Sequence, residues 1–308
     1  MREPTPNPMP LPIEGPQVDA PDGKSSATPF ASAMPPSSTM SRPAIDRRQE
    51  RGPFDIVGDV HGCADELMTL LARLGHDVRM AYGPSGPHVT VTGTSRRRLV
   101  FVGDFVDRGP RSPDVLRIAM ALVAQGRALA VPGNHDVKFR RWLEGRQVKI
   151  SHGLERTVEQ MAGEGEPFRS DLRAFVLSLP HHLRLDGDAL VVAHAGIEEQ
   201  MIGDDGGATR SFCLYGDTDG GKDANGLARR YHWAAHYRGT ASIVYGHTPV
   251  DAVDWVNNTL CIDTGCCFGG RLTALRWPER TLVEVPARAE YAKALRPFGH
   301  PPVREKTV

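Results

Sequence analysis

The sequence predicts an α/β protein in which sheets pack between helices, and two observations lead there. From Phe54 to about residue 180, apolar strand-like runs alternate with helix-periodic segments, and from there to about residue 285 strands dominate. In addition, five of the strand-like runs release a polar group at their tip: Asp55 to Gly62, Leu99 to Gly109, Val131 to Asp136, Val191 to Gly196 and Ile243 to Pro249. Each supplies Asp, Asn or His where an apolar strand stops, and we expect the five tips to converge on two metal ions with Asp104 shared between them.

Taken in order, residues 1–52 hold 11 of the 25 prolines and no sustained apolar pattern, so they are expected to form a disordered Pro/Ser-rich tail. The folded domain is expected over residues 53–290. Leu67, Leu70, Leu71 and Leu74 fall on one helical face, which predicts a helix from Asp65 to Leu74 with Gly75 ending it. Val89 and Val91 alternate with polar residues, as on a half-exposed strand. Ser112-Pro113 starts a second helix, striped by Val115, Ile118, Ala119 and Leu122 and closed by Gly126. Leu172, Phe175, Val176 and Leu179 mark a third, from Phe168 to Leu179. Strands follow at Leu183 to Leu185, Leu190 to Ala193, Ser242 to Tyr245, Leu260 to Ile262, Leu272 to Arg276 and Thr281 to Val285. Between them, Met201 to Tyr237 is rich in Gly, Asp and Arg and is expected to form loops over the site. Residues 291–308, with Pro297, Pro301 and Pro302, read as a C-terminal tail.

Composition narrows the function classes. The chain is 40% hydrophobic and 24% charged, and its 37 basic residues balance 37 acidic ones, so bulk charge gives no reason to expect nucleic-acid or membrane-surface binding. No apolar run approaches a membrane span and the N-terminus lacks a signal-peptide core, so a cytoplasmic protein is expected. The five cysteines, Cys63, Cys213, Cys261, Cys266 and Cys267, contain no Cys-x-x-Cys pair and read as reduced thiols. Cys63 stands beside a candidate ligand.

The candidate metal ligands are Asp59, His61, Asp104, Asn134, His194 and His247. Carboxylates favour hard ions and imidazoles favour transition metals, so the mixed set suits Mn²⁺, Fe or Zn better than Mg²⁺ or Ca²⁺, with Mn²⁺ preferred. Two ions about 3.5–4 Å apart would clamp a phosphate and lower the pKa of a bound water towards roughly 7, setting up in-line attack by a metal-bound hydroxide. Arg108 offers forked donors to phosphate oxygens. His135, when protonated, can give a proton to the leaving oxygen, with Asp107 or Asp136 holding its other nitrogen. Asp263 is expected to support a ligand histidine. A single histidine or aspartate at a strand end is ordinarily a loop residue or a cap; five in one chain set the metal reading apart.

The motifs Asp59-x-His61, Gly103-Asp104-x-x-Asp107-Arg108-Gly109, Gly133-Asn134-His135-Asp136, His194-Ala195-Gly196 and Gly246-His247 resemble, in order, the signature of calcineurin-like metallophosphoesterases, and more narrowly the phosphoprotein-phosphatase branch with its bacterial phosphatases and diadenosine tetraphosphatases. Further stretches, Lys149 to Gly153, Leu214 to Thr218, Arg230 to Ala234, Trp255 to Asn257 and Ile262 to Cys266, resemble the phosphatase module of bacterial polynucleotide kinase-phosphatases. No Gly-x-x-x-x-Gly-Lys-Ser/Thr loop precedes them, so a free-standing phosphatase is implied. The resemblance implies a four-layer fold, two mixed β-sheets sandwiched between helices. It puts Asp59, His61 and Asp104 on one metal and Asp104, Asn134, His194 and His247 on the other. It also implies phosphate binding by Arg108, Asn134 and His135, with a second arginine among Arg229, Arg230 and Arg238. Asp136 replaces the Glu usual in protein phosphatases, as in nucleotide-directed relatives.

The expected activity is therefore hydrolysis of nucleotide-type phosphates: dinucleoside polyphosphates, or cyclic or terminal phosphates of nucleotides or an RNA end. The alternatives are a Ser/Thr phosphoprotein phosphatase and, in another class, a non-catalytic module that recruits partners through the Pro-rich tail. No ligand is missing from the set, which disfavours the silent module, and no obligate protein partner is evident.

Overall fold

The computed structural model describes residues 44–83, 86–93 and 95–305. The body of the expected N-terminal tail, residues 1–43, lies outside them. In chain order the strands and α-helices are β1 (Phe54–Val57), α1 (Ala64–Leu74), β2 (Asp77–Gly83), β3 (Gly86–Thr92), β4 (Arg98–Phe101), α2 (Ser112–Ala124), β5 (Ala128–Ala130), α3 (Asn134–Leu143), α4 (Leu154–Gln160), α5 (Glu166–Ser178), β6 (His182–Leu185), β7 (Leu190–Ala193), α6 (Gly207–Tyr215), β8 (Asp217–Lys222), β9 (Ala228–Tyr231), β10 (Ser242–Tyr245), β11 (Trp255–Val256), β12 (Thr259–Cys261), β13 (Arg271–Trp277) and β14 (Thr281–Pro286). No helix among them is long and apolar enough to cross a membrane.

Two five-stranded mixed sheets form the centre. One runs β14-β13-β1-β4-β5 and the other β11-β12-β10-β7-β6, each with three parallel strands and antiparallel strands outside them. Strand alternation builds the layers. Phe54, Ile56, Val100 and Val102 point inward to meet Leu190, Val192, Val244 and Leu260 of the opposite sheet. The other faces turn outward: Val57, Leu99 and Phe101 pack under α1, α2 and α5 through Leu67, Leu71, Leu116, Ile118 and Phe175, while Val191, Ile243 and Tyr245 are covered by Ile197, Cys213 and Trp233. This is the expected four-layer arrangement.

The helices form for the reasons the pattern gave. Leu67, Leu70, Leu71 and Leu74 of α1 are buried, and Gly75 ends it at φ 86°. Pro113 occupies the first turn of α2, whose Val115, Ile118, Ala119 and Leu122 are buried. Val89 and Val91 lie on β3, paired with β2 in a hairpin.

Three expectations change. The stretch read as loops, Met201 to Tyr237, instead contains α6 and the β8/β9 hairpin. Residues 45–50, placed in the N-terminal tail, are bonded to both sheets: at the edge of the second, Arg184 N–H donates to Ile45 O at 3.0 Å and Arg47 N–H to Arg184 O at 3.0 Å, and Glu50 pairs with Arg98 of β4 in the first. Residues 291–305, read as a tail, also lie along the domain. Tyr291 Oη donates to Glu66 at 2.8 Å, His232 N–H donates to Pro302 O at 2.9 Å, and Arg304 pairs with Asp217. Proline-rich composition does not preclude docking where backbone groups find partners.

His182, on β6, gives the fold an acid sensitivity. Its side chain is buried, Gly203 N–H donates to its Nε2 at 2.9 Å, and burial lowers its pKa to about 3. An acceptor nitrogen requires the neutral ring, whereas the unfolded chain protonates below about 6.5. The unfolded state therefore binds more protons in this window, and the contribution of His182, complete above about pH 6.5, is lost as pH falls towards 3. Between pH 6.5 and 5 the loss is about 2 kcal/mol from this group alone. Denaturant unfolding of wild type and His182→Gln across that range should show the variant less stable at neutral pH but with a shallower acid slope; equal slopes would refute the assignment.

Candidate metal centre

The centre stands at the carboxyl ends of the parallel strands of both sheets, the usual place for a site in open α/β layers. The tip after β1 carries Asp59 and His61, that after β4 carries Asp104, Asp107 and Arg108, and that after β5 opens α3 with Asn134 and His135. From the second sheet, β7 delivers His194 and β10 His247. All six candidate ligands are thus brought together from five strand ends, and Asp59, His61, Asp104 and His194 are almost wholly buried.

The backbone is bent to do this. His61, Asp104, Asp107, Arg108 and His247 have φ of 43°, 50°, 76°, 68° and 74°, a region non-glycine residues rarely occupy and one that clusters at functional sites. Close approaches fix the loops. A Cβ on Gly133 would overlap Asp104 Oδ1 and N, and one on Gly246 would overlap Asp59 Oδ1. Asp136 ties two loops, accepting from Phe105 N–H at 2.9 Å and Gly133 N–H at 2.8 Å.

The nitrogens are aimed by backbone carbonyls. His61 Nδ1 donates to Val106 O at 2.7 Å and His194 Nδ1 to Val102 O at 2.9 Å, so each Nε2 presents a lone pair inward. One Asp104 oxygen, Oδ2, faces both, 3.3 Å from His61 Nε2 and 3.5 Å from His194 Nε2. Its other oxygen accepts from His135 N–H at 3.0 Å. Around His194 Nε2 stand Asn134 Oδ1 at 3.0 Å and His247 Nδ1 at 3.1 Å. Asp59 accepts from His247 N–H at 3.0 Å through Oδ2, while its buried Oδ1 has no partner.

Electron-rich atoms facing one another in a buried space are the signature of a cation site. The charges agree. Burial, then Asp263 and Asp104, push the Asp59 carboxyl well up. Burial also acts on Asp104, but His194, His135 and His61 outweigh it and hold its carboxyl well below the usual range. Burial first, with Arg230 for His247, holds His194 and His247 neutral and able to ligate. Two overlapping groups could hold ions: His61 with Asp104, and Asp104 with His194 and His247, the second joined by Asn134. His135 lies close to the first, but its two nitrogens are engaged elsewhere.

His135 Nδ1 meets Asp107 Oδ2 at 2.5 Å, and Arg108 Nη2 donates to its Nε2 at 2.8 Å. Of the two aspartates considered for this role, Asp107 takes it and Asp136 does not. Asp107 is itself fixed by Thr157, whose Oγ1 donates to Oδ1 at 2.8 Å, and burial raises its pKa to about 7. The Arg108 guanidinium spans His61 and His135 and lies 5.0 Å over the Phe268 ring.

Among the three arginines, Arg230 reaches the centre: its Nη1 donates to His247 O at 3.1 Å and Thr248 Oγ1 at 3.0 Å, and no carboxylate is bonded to it among the described residues. Burial, then Arg296 and Arg108, lower its pKa to about 10. Arg229 pairs outside with Asp219, and Arg238 donates to backbone carbonyls. Asp263 departs from expectation. Its carboxylate accepts from Gly265 N–H at 3.0 Å, and among the described residues no histidine donates to it. Sequence reasoning also missed Thr157 and Phe268, neutral side chains in segments with no ligand signal. All five cysteines are free and buried.

Residues 52–279 match the family described as calcineurin-like phosphoesterase. The chain belongs to that family. It is accordingly a metal-dependent hydrolase of phosphate esters. Curated relatives similar to it include bis(5′-nucleosyl)-tetraphosphatase PrpE (asymmetrical) of Anoxybacillus flavithermus, 44% identical over 252 residues, covering 80% of this chain and 99% of the relative. The enzyme of the same name from Halalkalibacterium halodurans is 44% identical over 241 residues, covering 76% and 94%. Among solved structures, one provisionally described as a diadenosine tetraphosphatase shares the fold with TM-score 0.56 and 24% identity over 80% of this chain and 99% of that one.

The Gly133 contact gives a direct test of the geometry. In Gly133→Ala the methyl must displace the Asp104 carboxylate or its backbone. Overpacking of this kind costs about 1–3 kcal/mol, a fall in Tm of roughly 2–12 °C. Bound metal measured by elemental analysis should fall with it; wild-type metal content and Tm would show that the loops are not in tight contact.

Proposed function

We propose that this phosphoesterase hydrolyses dinucleoside polyphosphates of the bis(5′-nucleosyl)-tetraphosphate class at a dinuclear centre. One ion would be held by Asp59, His61 and Asp104, and the other by Asp104, Asn134, His194 and His247. The observation that supports the centre is the convergence of unprotonated His194 Nε2, His247 Nδ1, Asn134 Oδ1 and Asp104 Oδ2 on one buried point. The substrate class rests on relatives matched over 94–99% of their own length.

Two divalent ions, Mn²⁺ by the mixed oxygen and nitrogen donor set, would supply electrostatic stabilisation of the phosphoryl group and a water of lowered pKa. The chain's own groups do the rest. Arg108 turns its fork to phosphoryl oxygens, and the Asn134 amide lies beside them. Arg230, a half-buried cation with no carboxylate bonded to it among the described residues, stands beside His247 where it would meet the next phosphate of a polyphosphate. A small cleft bordered by Arg230, Tyr231, Thr248 and His300 adjoins His247.

His135 gives its proton at Nε2 to the leaving oxygen. Burial first, then Arg108, hold this imidazole neutral. An anionic phosphate that engages Arg108 removes the second effect, while Asp107 at Nδ1 favours the charged ring. Substrate binding thereby arms the acid.

Steady-state rates with Mn²⁺ on diadenosine tetraphosphate, a cyclic nucleotide, an RNA 3′-phosphate and a phosphopeptide test the proposal. The first should be turned over with the highest kcat/KM. Activity confined to phosphopeptide would sink the nucleotide reading, and a preference for the RNA end would replace one nucleotide substrate by another. Asp104→Asn should lose both ions and all activity, so metal content near wild type in that variant would count against the shared carboxylate. His135→Ala should keep its metal and slow turnover by about 10²–10⁴, most for poor leaving groups.

A further inference from the structure

Behind the centre lies a second set of ligand-type side chains that the phosphoester chemistry does not use. Cys63 follows the loop of Asp59 and His61, Glu66 stands in the first turn of α1, and Cys266 belongs to the turn after Asp263. Both Sγ atoms and a Glu66 carboxylate oxygen lie within 4.8 Å of one another, and all three residues are at most 2% exposed.

Glu66 is the telling member. Its Oε1 accepts from Arg288 N–H at 2.8 Å and from Tyr291 Oη at 2.8 Å, whereas its buried Oε2 has no partner. Among the described residues no lysine, arginine or histidine pairs with this carboxylate. Buried anions are paired with a cation or coordinate a metal, because an uncompensated one is costly. Of the remaining thiols, Cys213 packs in the apolar layer with Trp233, Cys261 donates to backbone carbonyls as Cys63 does to His61 O, and Cys267 lies against the Arg108 side chain.

We propose that Cys63, Cys266 and Glu66 form a third cation site, for a thiophilic divalent ion of the zinc type, distinct from the dinuclear centre. Two sulfurs and one carboxylate are the donors of zinc-class ions rather than of magnesium or calcium. Binding forms two metal–thiolate bonds, and the two thiol protons leave to solvent, so charge and protons balance. An ion here links α1, the loop behind His61 and the turn at Cys266, with Tyr291 closing the cluster from the C-terminal side. It would hold the His61 loop from behind.

The test uses the full chain, stripped of metal and titrated with Co²⁺. The proposed dinuclear ligands contain no sulfur, so a thiolate-to-cobalt charge-transfer band in the near ultraviolet reports the new site. The band should saturate at about one ion per chain, persist in Asp104→Asn, and vanish in both Cys63→Ser and Cys266→Ser. Circular dichroism monitors folding of the variants, and the wild-type spectrum does not depend on them. No band in wild type at saturating Co²⁺, or a band that survives both serine substitutions, would overturn the proposal. Loss of phosphatase activity in Asp104→Asn with the band intact would separate this site from the catalytic one.

Discussion

Asp104 is the interaction on which the arrangement depends. Its Oδ2 stands between the inward nitrogens of His61 and His194, and its Oδ1 anchors the first turn of α3 through His135 N–H. It also carries backbone duties, since its carbonyl accepts from Val60 and His61 N–H. One residue therefore joins the tips of β1, β4 and β5 to a histidine of the other sheet. A longer Glu would push its carboxylate into the space that two imidazoles share, and a neutral Asn would remove the charge that three histidines face.

Placing this residue demands backbone that local preference resists. Five site residues sit at positive φ, and Gly133 and Gly246 admit neighbouring carboxylates where any side chain would collide. Such conformations cost roughly 1–3 kcal/mol each and persist only where the surroundings over-determine them. Here the surroundings are the two packed sheets, whose facing side chains form one buried apolar cluster. The stability of the sandwich offsets the strain at its rim.

How much of this the sequence disclosed follows the same physics. Strand ends and the stripes of α1, α2 and α5 were legible because burial imposes a period on the residues that do it. α3 was not: it begins in Asn134-His135-Asp136, which resembles a turn, and its later residues include Lys138, Arg140 and Arg141, with Phe139 alone fully buried. α4 and α6 are short, and the β8/β9 hairpin is made of Asp, Gly, Lys and Arg at the surface, so none carries a long apolar period. At the centre, residues with ligand chemistry could be named one by one. Choices that depend on the meeting of distant segments could not: Asp107 over Asp136, Arg230 over its neighbours, and Asp263 bonded to Gly265 rather than to a histidine.

The unpaired atoms point to a coupling between the site and the fold. Without a cation, His194 Nε2 faces Asn134 Oδ1 with lone pair against lone pair, and the Asp59 and Asp104 carboxylates share a buried space with Asp263. The folded chain pays this repulsion while the unfolded chain, with the same groups in water, does not. An ion that binds the assembled site relieves it and binds the unfolded ensemble far less, so occupancy shifts the folding equilibrium by mass action. The same arrangement that prepares the ligands for catalysis therefore makes the native state lean on its ions. Arg108 meets His61 Nε2 and so offsets part of this charge at the first group, whereas Arg230 bonds to the His247 carbonyl and reaches none of the ligand nitrogens of the second.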